Sequence, residues 1–215
     1  MTTVLVTGAT GFVGSHVVRD QIRRGAEVHA LVRPGGDERR LADLDGAYTR
    51  VVADVRDHDA LTAGARAVAP DRVFHLAAAA MHAGRSPAAD ELIATNLGGT
   101  VALLDACREL GVEAFVNVGD AFEYGPGVGA LPETAPCRPT SLDGITKLAA
   151  ALYGSAVAAA AALPVVTIRP FSIVGRDDDP RRLVPRLVES ARAGATIELS
   201  DPRITRDFVA VADGV

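Results

Sequence analysis

Val4-Leu5-Val6-Thr7-Gly8-Ala9-Thr10-Gly11-Phe12-Val13-Gly14, residues 4–14, is the stretch that decides the fold. Its first three residues are a short apolar run closed by Thr7-Gly8, the pattern of a buried strand. Val13, Val17, Val18 and Ile22 then recur at helical spacing until Gly25 stops the helix. Strand, glycine loop and helix in that order predict a phosphate cradle. Gly8 permits the tight turn, Gly11 lets a pyrophosphate approach the backbone, and Gly14 lets the helix pack closely on the strand. The helix N-terminus adds free N–H groups and a favourable dipole. Gly8, Thr10, Gly11, Phe12 and Val13 are therefore the expected contacts of a dinucleotide.

The alternation continues outward. Apolar runs at Val28–Val32, Val51–Ala53, Val73–Leu76, Phe115–Val118 and Val165–Ile168 read as further strands. Asp57 is placed to cap one helix, and Ser86-Pro87 has the form of an N-cap and first helical residue for another that runs to Leu110-Gly111. A glycine- and proline-rich loop, residues 125–139, leads to a helix from near Ser141 that Pro164 ends. Leu183–Ala193 reads as a helix, and Ile197–Leu199 and Phe208–Val211 as short strands. Strands apolar on both faces, alternating with helices, predict an α/β fold: a doubly wound parallel sheet with helices on both sides.

The chain has 215 residues, 48% hydrophobic and 23% charged, an ordinary globular composition. A net charge of −5 argues against nucleic acid as a partner. Cys107 and Cys137 make no disulfide framework, and no His, Cys and carboxylate cluster has metal-site spacing. The N-terminus lacks the pattern of a signal peptide. Leu148 to Val166 carries no charge, but it is mostly alanine and contains Pro164, so it reads as a buried helix entering a strand, with no membrane. A cytoplasmic protein is expected.

The second strand bears on the choice of cofactor. An acid at its end would meet the ribose of NAD. The chain has Arg33 there, whose guanidinium suits a 2′-phosphate. NADPH is thus expected in preference to NADH.

These features together resemble the short-chain dehydrogenase/reductase superfamily, in its extended and atypical branches, which include the NAD-dependent epimerase/dehydratase enzymes. Thr7–Gly14 matches the family's TGxxGxxG. Asp54-Val55 resembles its adenine-contacting pair, and His75-Leu76-Ala77-Ala78 its HLAA beside the cofactor. Asn96–Thr100 resembles NxxGT, Tyr124-Gly125 the end of VYG, Arg169-Pro170 the RP near the nicotinamide, and Arg206–Val209 a late RDFV. The resemblance implies a Rossmann domain over residues 1–170. It implies cofactor contacts at Asp54, Val55, Leu76, Ala77, Ala78, Lys147, Pro170 and Ile173. Residues 171–215 are expected to form part of a substrate-binding region that the family continues further, so the chain looks truncated. A small-molecule substrate follows, and the alanine-rich helix could pair two copies in a homodimer.

The departures concern the chemistry. The resemblance puts a serine or threonine at position 120 and a tyrosine at 143, four before Lys147; this chain has Asp120 and Asp143. Ser172 stands where asparagine is common. Asp143 and Lys147 share a helix face, which favours an ionised aspartate that cannot donate a proton. An aspartate is also shorter than tyrosine by about 3 Å, the room of one bridging water. Asp120, Asp143 and Lys147 are the expected catalytic residues. The expected activity is NADPH-dependent reduction of a ketone on a small molecule, such as an aromatic polyketide or other antibiotic intermediate, with the proton drawn from substrate or water. Two alternatives stand beside it: a nucleotide-sugar epimerase or dehydratase, and a non-catalytic NAD(P)-binding regulator. A shared proton between Asp120 and Asp143 would supply the acid for an enzyme. His82 lies in the loop after the fourth strand and Tyr124 reads as structural, while Glu123 occupies a commonly apolar position without evident reason. His16 and His75 read as packing residues of the cofactor loop and the fourth strand.

Overall fold

Thr7-Gly8 turns the chain out of β1 (Thr3–Thr7) and into α1 (Phe12–Arg23), as the opening stretch requires. The computed structural model describes residues 1–80, 86–127, 129–161, 163–197, 201 and 205–215. Further strands are β2 (Glu27–Val32), β3 (Thr49–Val52), β4 (Arg72–His75), β5 (Ala114–Val118) and β6 (Val165–Ile168). With β1 they form one six-stranded parallel sheet of order β3-β2-β1-β4-β5-β6. The order reverses between β1 and β4, and the crevice outside their carboxyl ends is where such sheets hold ligands.

Period-two alternation in β1 builds both faces. Val4 and Val6 pack with Val17 and Val18 of α1 on one side. Leu5 faces the other, against Leu61 of α2 (His58–Val68) and Leu103, Leu104 and Cys107 of α4 (Gly99–Leu110). Each such side chain, fully buried, contributes about 1.5–3 kcal/mol. Asp57 does cap α2, its carboxylate accepting the Ala60 N–H at 3.0 Å.

The charge-free run ends in β6 and begins in α5 (Leu142–Ala161), which is long and apolar enough to cross a membrane. Its inward face explains that composition differently. Asp143, Lys147, Ala150, Ala151 and Gly154 are buried, and a Cβ at Gly154 would sit 3.1 Å from Val165 of β6. Alanine and glycine bring α5 close to the sheet, and a buried aspartate and lysine place its N-terminal turns over the end of β5.

Three readings are corrected. The helix expected from Ser86-Pro87 begins at Ala89, with Ala88 as N-cap and no side-chain cap. It is not continuous: after α3 (Ala89–Leu92) the chain widens into a π-helical segment, Ile93–Gly98, before α4. Gly99 sits against Val55, where an added Cβ would lie 3.0 Å from the Val55 carbonyl oxygen. The third correction is a strand not expected at all, β7 (Ser172–Val174), which pairs in parallel with β8 (Phe208–Ala210) beyond α6 (Leu183–Ala193). Three residues carry too little periodicity to be read. The strand expected at Ile197–Leu199 extends into residues outside those described, and His82 also lies outside them.

Candidate active site

The loop after β1 has the geometry of a cradle. Gly8 adopts φ +66°, and a Cβ on it would meet the Leu76 and Ala77 backbone at 2.6 Å. A Cβ at Gly14 would lie 2.1 Å from the Gly8 carbonyl oxygen. Gly11 is the N-cap of α1 without a capping side chain, and the first turn carries no acid, so no side chain of the helix start competes with an anion for the N–H groups of that turn. This backbone fits a dinucleotide pyrophosphate. Leu76 and Ala77 form its wall, their N–H groups bonded to the Thr7 carbonyl and hydroxyl oxygens, each at 3.2 Å.

A buried polar chain stiffens that wall. Thr100 Oγ1 donates to the Asn96 carbonyl at 2.6 Å, so it accepts the Nε2–H of His75 at 2.9 Å. Nδ1 of His75 is then the acceptor for the Thr7 hydroxyl at 2.7 Å. Burial, with the Lys147 charge adding to it, pulls the His75 pKa down to about 3 and keeps the ring neutral. Asn96, in the π-helical segment, accepts the Ala79 N–H at 2.8 Å and donates to the Ala79 carbonyl at 2.9 Å and to Thr146 Oγ1 at 3.0 Å. The loop after β4 is thereby tied to α5 one residue before Lys147. The NxxGT resemblance picked out Asn96 and Thr100 but not these bonds.

Arg33 follows β2 and is exposed. Its charge reaches Asp54, whose carboxyl is held below its ordinary range first by the Arg56 guanidinium, bonded at 2.7 Å, with Arg33 a smaller cause. Val55 is buried in the core against Gly99. Arg40 spans the glycine loop. It donates to the Thr10 carbonyl at 3.5 Å and to the Asp177 carbonyl at 2.9 Å.

The proposed catalytic residues meet at the carboxyl end of β5. Lys147 Nζ donates to the Val118 carbonyl at 2.7 Å, and Asp120 starts the short turn Ala121–Glu123 just beyond. Asp120 accepts the Phe122 N–H at 2.8 Å. Burial pushes its carboxyl above the ordinary range. The Phe122 hydrogen bond and Lys147 oppose this, and the charges of Asp143 and Glu123 reinforce it. Burial likewise pushes the Lys147 amine down against the pull of Asp120, Asp143 and Glu123. Asp120, Asp143 and Lys147 therefore act on one another electrostatically.

Glu123, without a reason in the sequence, has one here. It closes a capping box by accepting the Asp120 N–H at 2.9 Å, and it pairs with Arg169 beyond β6. Tyr124 packs beneath the Arg169 guanidinium, 5.2 Å from ring centre to carbon. The S/T/D-x-x-E signature of a capping box was legible in Asp120–Glu123.

Ile173 is buried in β7, its carbonyl accepting from Arg182 at 3.3 Å. A cleft of about 100 Å³ opens beside it, lined by Ser172, Asp178, Arg182, Leu183, Arg206 and Phe208 among others. Inside it Arg182 is paired with Asp178 at 2.9 Å. Among the described residues no group of His, Cys, Asp and Glu could hold a metal ion.

The chain matches the NAD dependent epimerase/dehydratase family over residues 4–215 and belongs to it. It is 32% identical over 225 residues to a UDP-glucose 4-epimerase of Streptomyces lividans, an alignment spanning 97% of this chain and 68% of that protein. A dTDP-glucose 4,6-dehydratase of Streptomyces griseus is 33% identical over 228 residues, covering 100% of this chain and 68% of that one. The UDP-glucose 4-epimerase of Thermus thermophilus in complex with NAD superposes with a TM-score of 0.85 at 29% identity, over 99% of this chain and 71% of the other. The chain thus spans about two thirds of the length of these relatives. The expected reduction of a polyketide-like ketone is overturned by this company of nucleotide-sugar epimerases and dehydratases. That expectation rested on the missing tyrosine, which bears on the proton donor and carries no information about the substrate.

Proposed function

We propose that this protein is an NAD(P)-dependent enzyme acting on a nucleotide-diphosphate sugar, of the epimerase or dehydratase type. The observation that supports the chemistry is the Lys147 Nζ–Val118 carbonyl hydrogen bond at 2.7 Å, which sets Lys147 at the carboxyl end of β5 where Asp120 begins its turn, on the same sheet edge as the glycine cradle; the substrate class follows the family's epimerases and dehydratases. Gly8, Thr10, Gly11, Phe12 and Val13 would hold the pyrophosphate, with Leu76, Ala77, Ala78, Pro170 and Ile173 nearer the nicotinamide. Arg33 supports NADPH as the preferred form, although relatives such as the Thermus enzyme bind NAD. A nicotinamide bound there supplies reversible hydride transfer at a sugar carbon.

This chain's residues manage the accompanying proton. Asp120, with its raised affinity for a proton, and Asp143 share the work done elsewhere by a single phenol, and a carboxylate of the pair takes the sugar hydroxyl proton and returns it. As hydride leaves the carbon bearing that hydroxyl, the sugar oxygen becomes a carbonyl, and Lys147 would stabilise the partial negative charge on that oxygen during the transfer. Residues 171–215 would begin the substrate-binding region after a Rossmann domain of residues 1–170, and Arg206 would face the sugar diphosphate. A soluble, cytoplasmic enzyme, paired as a homodimer, agrees with this reading.

The test is incubation with NAD or NADP and a panel of UDP- and dTDP-hexoses, following sugar configuration by proton NMR. Appearance of a C4 epimer or a 4-keto-6-deoxy sugar, lost in Asp120→Asn and Asp143→Asn, is the expected result. Cofactor binding without turnover of any sugar would sink the reading.

A further inference from the structure

Glu123 carries a carboxylate sealed from solvent. Such a charge is costly unless its oxygens meet donors. Oε1 accepts the Asp120 N–H at 2.9 Å and Oε2 accepts from Arg169 Nε at 2.5 Å. Room for it exists because residue 119 is glycine: a Cβ there would lie 2.1 Å from Oε1. Gly119 also donates its N–H to the Ile168 carbonyl at 2.8 Å. Arg169 rests over Tyr124, whose ring stacks on Phe171 with centroids 6.4 Å apart. The ends of β5 and β6 are thus joined by one ion pair, its carboxylate sealed and its guanidinium half-buried, set directly behind Asp120.

Stability alone does not call for this pair, since apolar residues replacing both partners of a buried ion pair often serve the fold as well. What apolar residues cannot supply is a directional acceptor for the Asp120 N–H. We propose that Glu123, held by Arg169 in the space left by Gly119, is a positioning residue that fixes Asp120 for proton transfer with the substrate. The inference rests on the role given to Asp120 above. The Glu123 charge also opposes ionisation of Asp120, behind the larger effects of burial and Asp143.

Two variants test it: E123Q, and the double variant E123M/R169M. E123Q keeps an acceptor for the Asp120 N–H but leaves the Arg169 charge without its counter-charge. The Asp120 carboxyl, followed by carbon-13 NMR and assigned with D120N, is then expected to titrate at lower pH than in the wild type. The pH profile of kcat should move the same way, with KM for the nucleotide sugar little changed. In E123M/R169M the acceptor is gone, and kcat is expected to fall about 10- to 100-fold while the cofactor Kd holds, as for a small misplacement of a reacting group. An unmoved Asp120 titration in E123Q, or wild-type kcat in a folded double variant, overturns the proposal. If the wild-type protein turns over no nucleotide sugar, the functional reading fails instead. The E123Q titration needs no substrate and still decides whether Glu123 governs Asp120.

Discussion

Lys147 Nζ lies 2.7 Å from the carbonyl oxygen of Val118, the last residue of β5. The amine is buried beside three carboxylates, and its hydrogen bond ties α5 to the sheet edge where Asp120 begins its turn. Lys147→Met is expected to leave that carbonyl without its donor, at about 1–3 kcal/mol. It also removes the cation that favours ionised Asp120, so the Asp120 carboxyl should titrate at still higher pH. Urea denaturation and carbon-13 NMR check both. A variant as stable as wild type with Asp120 unshifted would show that the lysine belongs to another network.

Asp120 has a carboxyl pKa raised in the folded state, chiefly by burial. The folded protein then binds the proton more tightly than the unfolded chain, and stability falls as pH rises through the raised pKa. Above the raised pKa this cost is fully present, about 1.4 kcal/mol for each unit of rise. Asp120→Asn keeps the N-cap acceptor and removes the charge. The variant should be more stable than wild type at pH 7, with the gain vanishing below the unfolded pKa of about 3.9. A gain that does not depend on pH would contradict this account.

His75 provides the opposite slope. Its folded pKa is depressed to about 3, first by burial and then by Lys147. The unfolded chain protonates at about 6.5, so stability should drain away as pH falls from there toward 3, by at most about 1.4 kcal/mol per pH unit from this group. Replacing it with phenylalanine leaves the Thr7 hydroxyl proton without its acceptor and takes a donor from Thr100, which keeps its bond to the Asn96 carbonyl, so His75→Phe should be less stable at pH 7 by about 2–4 kcal/mol, from two lost hydrogen bonds. It should also lose that part of the acid slope, as denaturation at pH 7 and pH 5 would reveal.

Arg33 is exposed at the end of β2, where a 2′-phosphate would sit. Arg33→Ala is expected to weaken NADPH about 10- to 100-fold, the value of a charge-assisted hydrogen bond, and to leave NADH nearly unchanged. Fluorescence titration with each cofactor measures the ratio. An unaltered ratio would remove Arg33 from the cofactor site.

Much of this molecule is written locally. The cradle needs only that Gly8, Gly11 and Gly14 fall between an apolar run and a helical period, and every constraint on them acts within a few residues, apart from the approach of Leu76 and Ala77. The six strands of the sheet, the cap at Asp57 and the breadth of α6 follow from the same short-range rules. Asp120, Asp143 and Lys147 could be singled out because the motifs around them resemble a known pattern.

Other features depended on the folded chain. The Glu123–Arg169 pair joins residues 46 apart, and Asn96 reaches Thr146 across 50. Neither has a local signature, because a buried polar group chooses its partner from whatever the packing brings near it. The π-helical turn at Ile93–Gly98 and the pairing of β7 with β8 are likewise invisible to periodicity. By itself the sequence determined the sheet, its glycine cradle and the identity of the acids. Tertiary structure alone decided which oxygen meets which proton, since burial and distance, and not residue type, set the charge that each acid carries.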